Sequence, residues 1–149
     1  MALNFDSRIS AFEQLGLWLE HFLKEVENNR FTDDFNSEFQ AIIERQSREN
    51  GWFTQYNIYS SLAAIRDNLQ AESLNNLRFV YGNRIATSWQ EKIVAVVTGA
   101  FFPLVSFYDF MVVLLTGNVL QIKFHADDKL LLLKIKKKLL LAKTAILIR

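Results

Sequence analysis

Apolar residues recur every three or four positions through residues 7–28, at Ile9, Phe12, Leu15, Leu19, Phe22, Leu23 and Val26. Glu13, Glu20, Lys24 and Glu27 fall largely between them. This period predicts an amphipathic helix, and Asp6-Ser7 offers it a cap. Phe35, Phe39, Ile42 and Ile43 predict a second helix over 34–48. Asn50-Gly51 interrupts the pattern. A third helix follows through Ile58, Leu62, Ile65 and Leu69, with Thr54 as its cap. A fourth is expected from about Ala71 to Tyr81, ending at Gly82-Asn83.

The pattern then changes. Ile93-Val94-Ala95-Val96-Val97 is a short β-branched run of the kind that forms a buried parallel strand. Pro103 to Leu115 is apolar, carries only Asp109 as a charge, and is long enough for a helix. Gly117-Asn118 supplies its C-terminal stop. Val119 to Phe124 reads as a second strand. Strand, helix, strand is a βαβ unit, whose ligands belong beyond the carboxyl ends of the strands. The expected fold class is α/β: a helical region over 1–90, a partial Rossmann-like unit over 91–129, and a basic helical tail over 130–149.

Composition refines this picture. Half of the 149 residues are hydrophobic and Phe occurs 13 times, enough for a packed core. The net charge of +1 disfavours a nucleic-acid binder. Charge is unevenly placed: residues 1–50 carry ten acids and five bases, whereas 129–149 carry six Lys, one Arg and no acid. Lys among apolar residues makes the tail a cationic amphipathic segment, suited to packing on the body or to contact with an anionic membrane surface. From Ile93 to Ile122 no Lys or Arg occurs, long enough to raise a membrane-inserted alternative, but Pro103, Asp109 and Gly117 punctuate it as a βαβ unit would be. No secretory signal precedes the first helix, which points to the cytoplasm. With no Cys, disulfides, Cys-bound zinc and a catalytic thiol are excluded within this chain.

The segment Val97-Thr98-Gly99-Ala100-Phe101-Phe102-Pro103-Leu104-Val105-Ser106-Phe107-Tyr108-Asp109-Phe110, continued by Leu114 to Asn118, Ile122-Lys123 and Asp127-Asp128-Lys129, resembles the acyl-CoA reductase family. These are the long-chain acyl reductases of the bacterial luminescence type, within the aldehyde dehydrogenase superfamily. The resemblance spans roughly residues 10–133. It implies reduction of acyl-CoA or acyl-protein thioesters to aldehydes with NADPH, through a cysteine thioester. It implies that Lys123 meets the adenosine ribose or its 2′-phosphate, with Thr98 and Gly99 bordering the adenosine and His125 along the same edge.

The chain also departs from that family. Phe101 stands where the family has an Asn that stabilises the oxyanion, and a phenyl ring donates no such hydrogen bond. No nucleophilic Cys is present. After Lys129 the text turns abruptly to Leu, Lys and Ile, as a frameshift in an AT-rich gene would write it. The expectation is a truncated, inactive reductase-like chain with no catalytic residue and no metal site of its own. A non-enzymatic interaction protein, including a homo-oligomer, is the alternative.

Overall fold

The structure is a computed structural model that describes residues 4–87, 91–99 and 101–141. It is a mixed α/β architecture, mostly helical with one small parallel sheet. The order is α1 (Phe5–Glu27), α2 (Asp34–Glu49), α3 (Gln55–Asn68), α4 (Ala71–Thr87), β1 (Ile93–Val97), α5 (Phe107–Leu115), β2 (Val119–Lys123) and α6 (Lys129–Leu141).

Caps explain the starts of the first three helices. The Asn4, Asp33 and Thr54 side chains accept from the backbone N–H groups of Ser7, Asn36 and Asn57. The cap of α1 is therefore Asn4, just ahead of the expected Asp6-Ser7. Trp18, Phe22 and Phe39 cluster where α1 meets α2, with the Phe22 and Phe39 ring centroids 4.9 Å apart. Trp18 Nε1 donates to Asn36 Oδ1 at 2.8 Å, and the Asn36 amide donates to buried Glu25 at 2.6 Å. Gly16 lets α1 approach the end of α3. A Cβ there would lie 2.8 Å from Leu69 Cβ and 2.9 Å from its carbonyl oxygen.

Three expected boundaries move. Helix α4 continues through Gly82 to Thr87 rather than stopping at Tyr81. A helical glycine costs only about 1 kcal/mol, and the Phe5 ring packs 3.7 Å from where its Cβ would be. Helix α5 starts at Phe107, not Pro103, because residues 101–106 form turns with Leu104 at φ 60°. Strand β2 ends at Lys123 rather than Phe124. At the other end of α5 the expectation holds: Gly117 takes φ 81° just past the helix.

The strands pair in parallel, Ile93 opposite Val119 through to Val97 opposite Lys123. Helix α5 covers one face, where Val94 and Val96 are half-buried. The other face is open: Ile93, Ala95 and Val97 are exposed. The buried strand expected here is thus buried on one side only, because no second helical layer covers the sheet among the described residues.

Helix α6 turns its apolar side inward. Leu131, Leu132, Ile135 and Leu139 are buried in the core shared with α1 and α2. Lys134 pairs with Glu38 and sits 4.3 Å over the Phe35 ring. These four apolar residues thus serve packing, whereas Leu140 and Leu141 at the end of the helix are exposed. The remainder of the basic tail, 142–149, lies outside the described residues. Among the described residues no helix is long and apolar enough to cross a membrane.

Candidate functional site

The parallel pairing brings the four residues singled out by the sequence to one place, the carboxyl ends of β1 and β2. The Thr98 N–H donates to the Lys123 carbonyl at 3.0 Å, which extends the ladder one step past the strands. The Thr98 side chain is buried, and its hydroxyl accepts from the His125 backbone N–H at 2.6 Å. The Gly99 N–H donates to Ser106 Oγ at 3.3 Å. Thr98 and Gly99 therefore spend these polar groups within the protein. A Cβ at Gly99 would meet nothing nearer than Val105 Cγ1 at 3.7 Å, so the backbone there is open to close approach.

Lys123 and His125 are exposed and supply the ionisable chemistry of this end. His125 Nδ1 accepts from the Asp127 N–H at 3.3 Å and lies 3.6 Å from Asp127 Oδ2. Lys123 borders a shallow depression of about 370 Å³ on the open sheet face, which Ala95, Val97 and Gln121 also line. A second cavity, about 380 Å³, lies between α1, α4 and α5 and is lined mainly by apolar side chains, Phe5, Leu77, Met111 and Leu115 among them. Asp109 is exposed and joins neither hollow. Among the described residues no cluster of His, Asp and Glu is arranged to hold a metal ion.

Sequence reasoning missed the residue that shapes this end. Asp128 is fully buried just before α6, and its Oδ1 accepts from the Leu104 N–H at 3.0 Å. Its Oδ2 has no partner among the described residues. Burial pushes the carboxyl pKa up to about 6, and the Leu104 N–H and nearby His125 only partly oppose that rise. The bond to Leu104 ties the loop 101–106 to the start of α6 and holds Leu104 in the left-handed region. The legible signal was an Asp immediately ahead of a helix, which reads as an ordinary cap. Its carbonyl does begin the helix, accepting from Leu132, but its side chain reaches across 24 positions instead.

Compared with known proteins, the chain matches no family model, no curated protein and no solved structure.

Proposed function

We propose that β1, α5 and β2 form the opening unit of a Rossmann-like nucleotide fold of the aldehyde dehydrogenase type, in a chain related to the acyl-CoA reductases. In this reading the unit binds the adenosine end of NADPH. One observation carries it: Lys123 stands exposed at the carboxyl end of the second parallel strand, beside the open backbone of Gly99. That is where such folds receive a nucleotide, and an ammonium there can hydrogen-bond ribose hydroxyls or pair with a 2′-phosphate. His125 adds a second group on the same edge. Thr98 keeps the two strand ends together, so it positions Lys123 without donating to the ligand.

NADPH would supply a hydride to an acyl group. This chain holds no thiol to receive that group, and Phe101 offers no donor for an oxyanion. The proposed activity of the chain by itself is nucleotide binding without turnover.

Isothermal titration of the folded chain with NADPH tests this. Saturable binding is expected, weakened about tenfold in Lys123→Ala, as loss of one charge-assisted contact predicts. NADH should bind more weakly than NADPH if Lys123 meets the 2′-phosphate. Absence of binding in a sample whose circular dichroism shows the helices intact would overturn the proposal.

A further inference from the structure

We infer that β1 is the two-fold interface of a homodimer, in which the Ile93–Val97 strands of two copies pair antiparallel about Ala95. This inference does not rest on the nucleotide reading. It uses the outer edge and open face of β1 and the loop that follows, with Lys123 only at the rim.

The ladder decides which backbone groups are free. The Val119 N–H donates to the Lys92 carbonyl at 2.8 Å, and the Thr98 N–H donates to the Lys123 carbonyl at 3.0 Å. With the parallel register, Lys92, Val94, Val96 and Thr98 turn their backbone groups toward β2. Ile93, Ala95 and Val97 therefore turn theirs to the outer edge. Among the described residues the sheet has two strands, so no third strand meets that edge.

The edge is complementary to itself. Placing Ala95 opposite Ala95 of a second copy sets Ile93 against Val97 of that copy, and the reverse. Every outward N–H then faces an outward carbonyl, the hydrogen-bonded pairing of an antiparallel ladder. The smallest side chain of the strand sits on the axis. The usual guards of an edge strand are missing too: Ile93–Val97 holds no charge, proline or bulge.

The side chains support the same occupant. Ile93 and Val97 are 61% and 72% exposed, and Phe101 and Phe102, just past the strand, are 82% and 60% exposed. With Val105 they leave on the order of 600 Å² of apolar surface in water, taking about 200 Å² for an aromatic side chain. That matches the largest patch of an ordinary monomer, about 300–600 Å². It also approaches the ~800 Å² that each partner buries in a standard interface. Antiparallel pairing carries the Phe101-Phe102 loop of each copy toward the start of the other's β1. Gln121 and Lys123 on β2 then lie outermost, which gives an apolar centre and a polar rim. A two-fold pairing consumes the outer edge of β1 in both copies, so this contact joins two copies and does not itself propagate.

Sedimentation equilibrium of the full chain over a wide concentration range tests the association. A reversible dimer is expected, weakened about tenfold or more by Ala95→Pro, which removes a donor on the axis from each copy. Proline is compatible with the β1–β2 ladder there, because the Ala95 N–H does not face β2. If Ala95→Pro nevertheless loses its helical circular dichroism, Ala95→Cys decides. The natural chain has no thiol, and opposed Cα atoms about 5.5 Å apart are within disulfide reach. Mild oxidation should then give a covalent dimer from Ala95→Cys and none from Ser60→Cys on exposed α3. A monomer at every concentration would overturn the inference, including one whose β1 amides exchange slowly because another part of its own chain covers them. So would a dimer indifferent to Ala95→Pro, or open-ended aggregation.

Discussion

Two buried carboxylates tune this protein in opposite directions. Burial alone would raise the pKa of Glu25, but hydrogen bonds from the Thr32 hydroxyl, the Asn36 amide and the Thr32 N–H outweigh it and leave the pKa lowered. Stability from Glu25 is therefore present above its unfolded value near 4.5 and lost as pH falls below it. Asp128 is the reverse case. Its folded pKa of about 6 exceeds the unfolded 3.8, so the folded state holds the proton more tightly. The resulting cost is absent at low pH, grows between about pH 4 and 6, and reaches roughly 3 kcal/mol at pH 7. Melting temperature is expected to fall as pH rises from 5 to 7. Asp128→Asn keeps the acceptor for Leu104 without a charge, so it should flatten that fall and raise stability at pH 7 by about 1–2 kcal/mol. Thermal melts at several pH values check this, and an unchanged slope in the variant would refute the assignment. Chemistry at this scale was half visible in the sequence. Lys123 and His125 emerge exposed and adjacent because strand alternation is local. The inward use of the Thr98 hydroxyl and the reach of Asp128 are not local, and no spacing rule encodes them.

Among elements, the two helical glycines test how closely segments approach. Gly16→Ala would drive a methyl group into Leu69, whose backbone cannot swing aside, and overpacking of this kind costs about 1–3 kcal/mol. Gly82→Ala meets no heavy atom nearer than 3.7 Å and should stabilise α4 by about 0.5–1 kcal/mol. Urea denaturation should show shifts of opposite sign. Stabilisation by Gly16→Ala would refute the close α1–α3 crossing, and destabilisation by Gly82→Ala would refute the open space beside α4. Helix α6 makes a complementary case. Ile135→Ala should cost about 2–4 kcal/mol if the helix belongs to the core, and almost nothing if it is a loose tail. Most elements were readable from periodicity, since helices α1 to α3 and both strands follow local spacing. The start of α5 was not, because the Asp128–Leu104 bond sets it from 24 positions away. Nor was the exposure of β1, because a β-branched run reports that a strand forms and not how many layers cover it.

In the whole molecule one core runs from the helical region into the βαβ unit. Phe12 of α1 meets Phe107 of α5 edge to face, with ring centroids 6.5 Å apart. Helix α6 then returns from the sheet to α1 and α2. Folding is therefore expected to be a single cooperative transition. Near-ultraviolet and far-ultraviolet melts should superimpose, and Phe12→Ala should shift both together. Two separate transitions would show that the helical region and the βαβ unit fold independently. The expected division at residues 90 and 129 follows changes of composition, which mark where the chain changes character and need not mark where its core divides.

The arrangement around Trp18 gives the protein an optical gauge. Its indole is buried against Phe22 and Phe39. The Lys138 ammonium lies 5.3 Å over the same ring, carried there by α6. A cation that close perturbs the excited state of an indole, so the colour and yield of Trp18 emission report whether α6 is docked. With Trp52 and Trp89 replaced by Phe, the chain becomes a single-tryptophan sensor of α6, readable in real time without any added label when tryptophan is excited selectively.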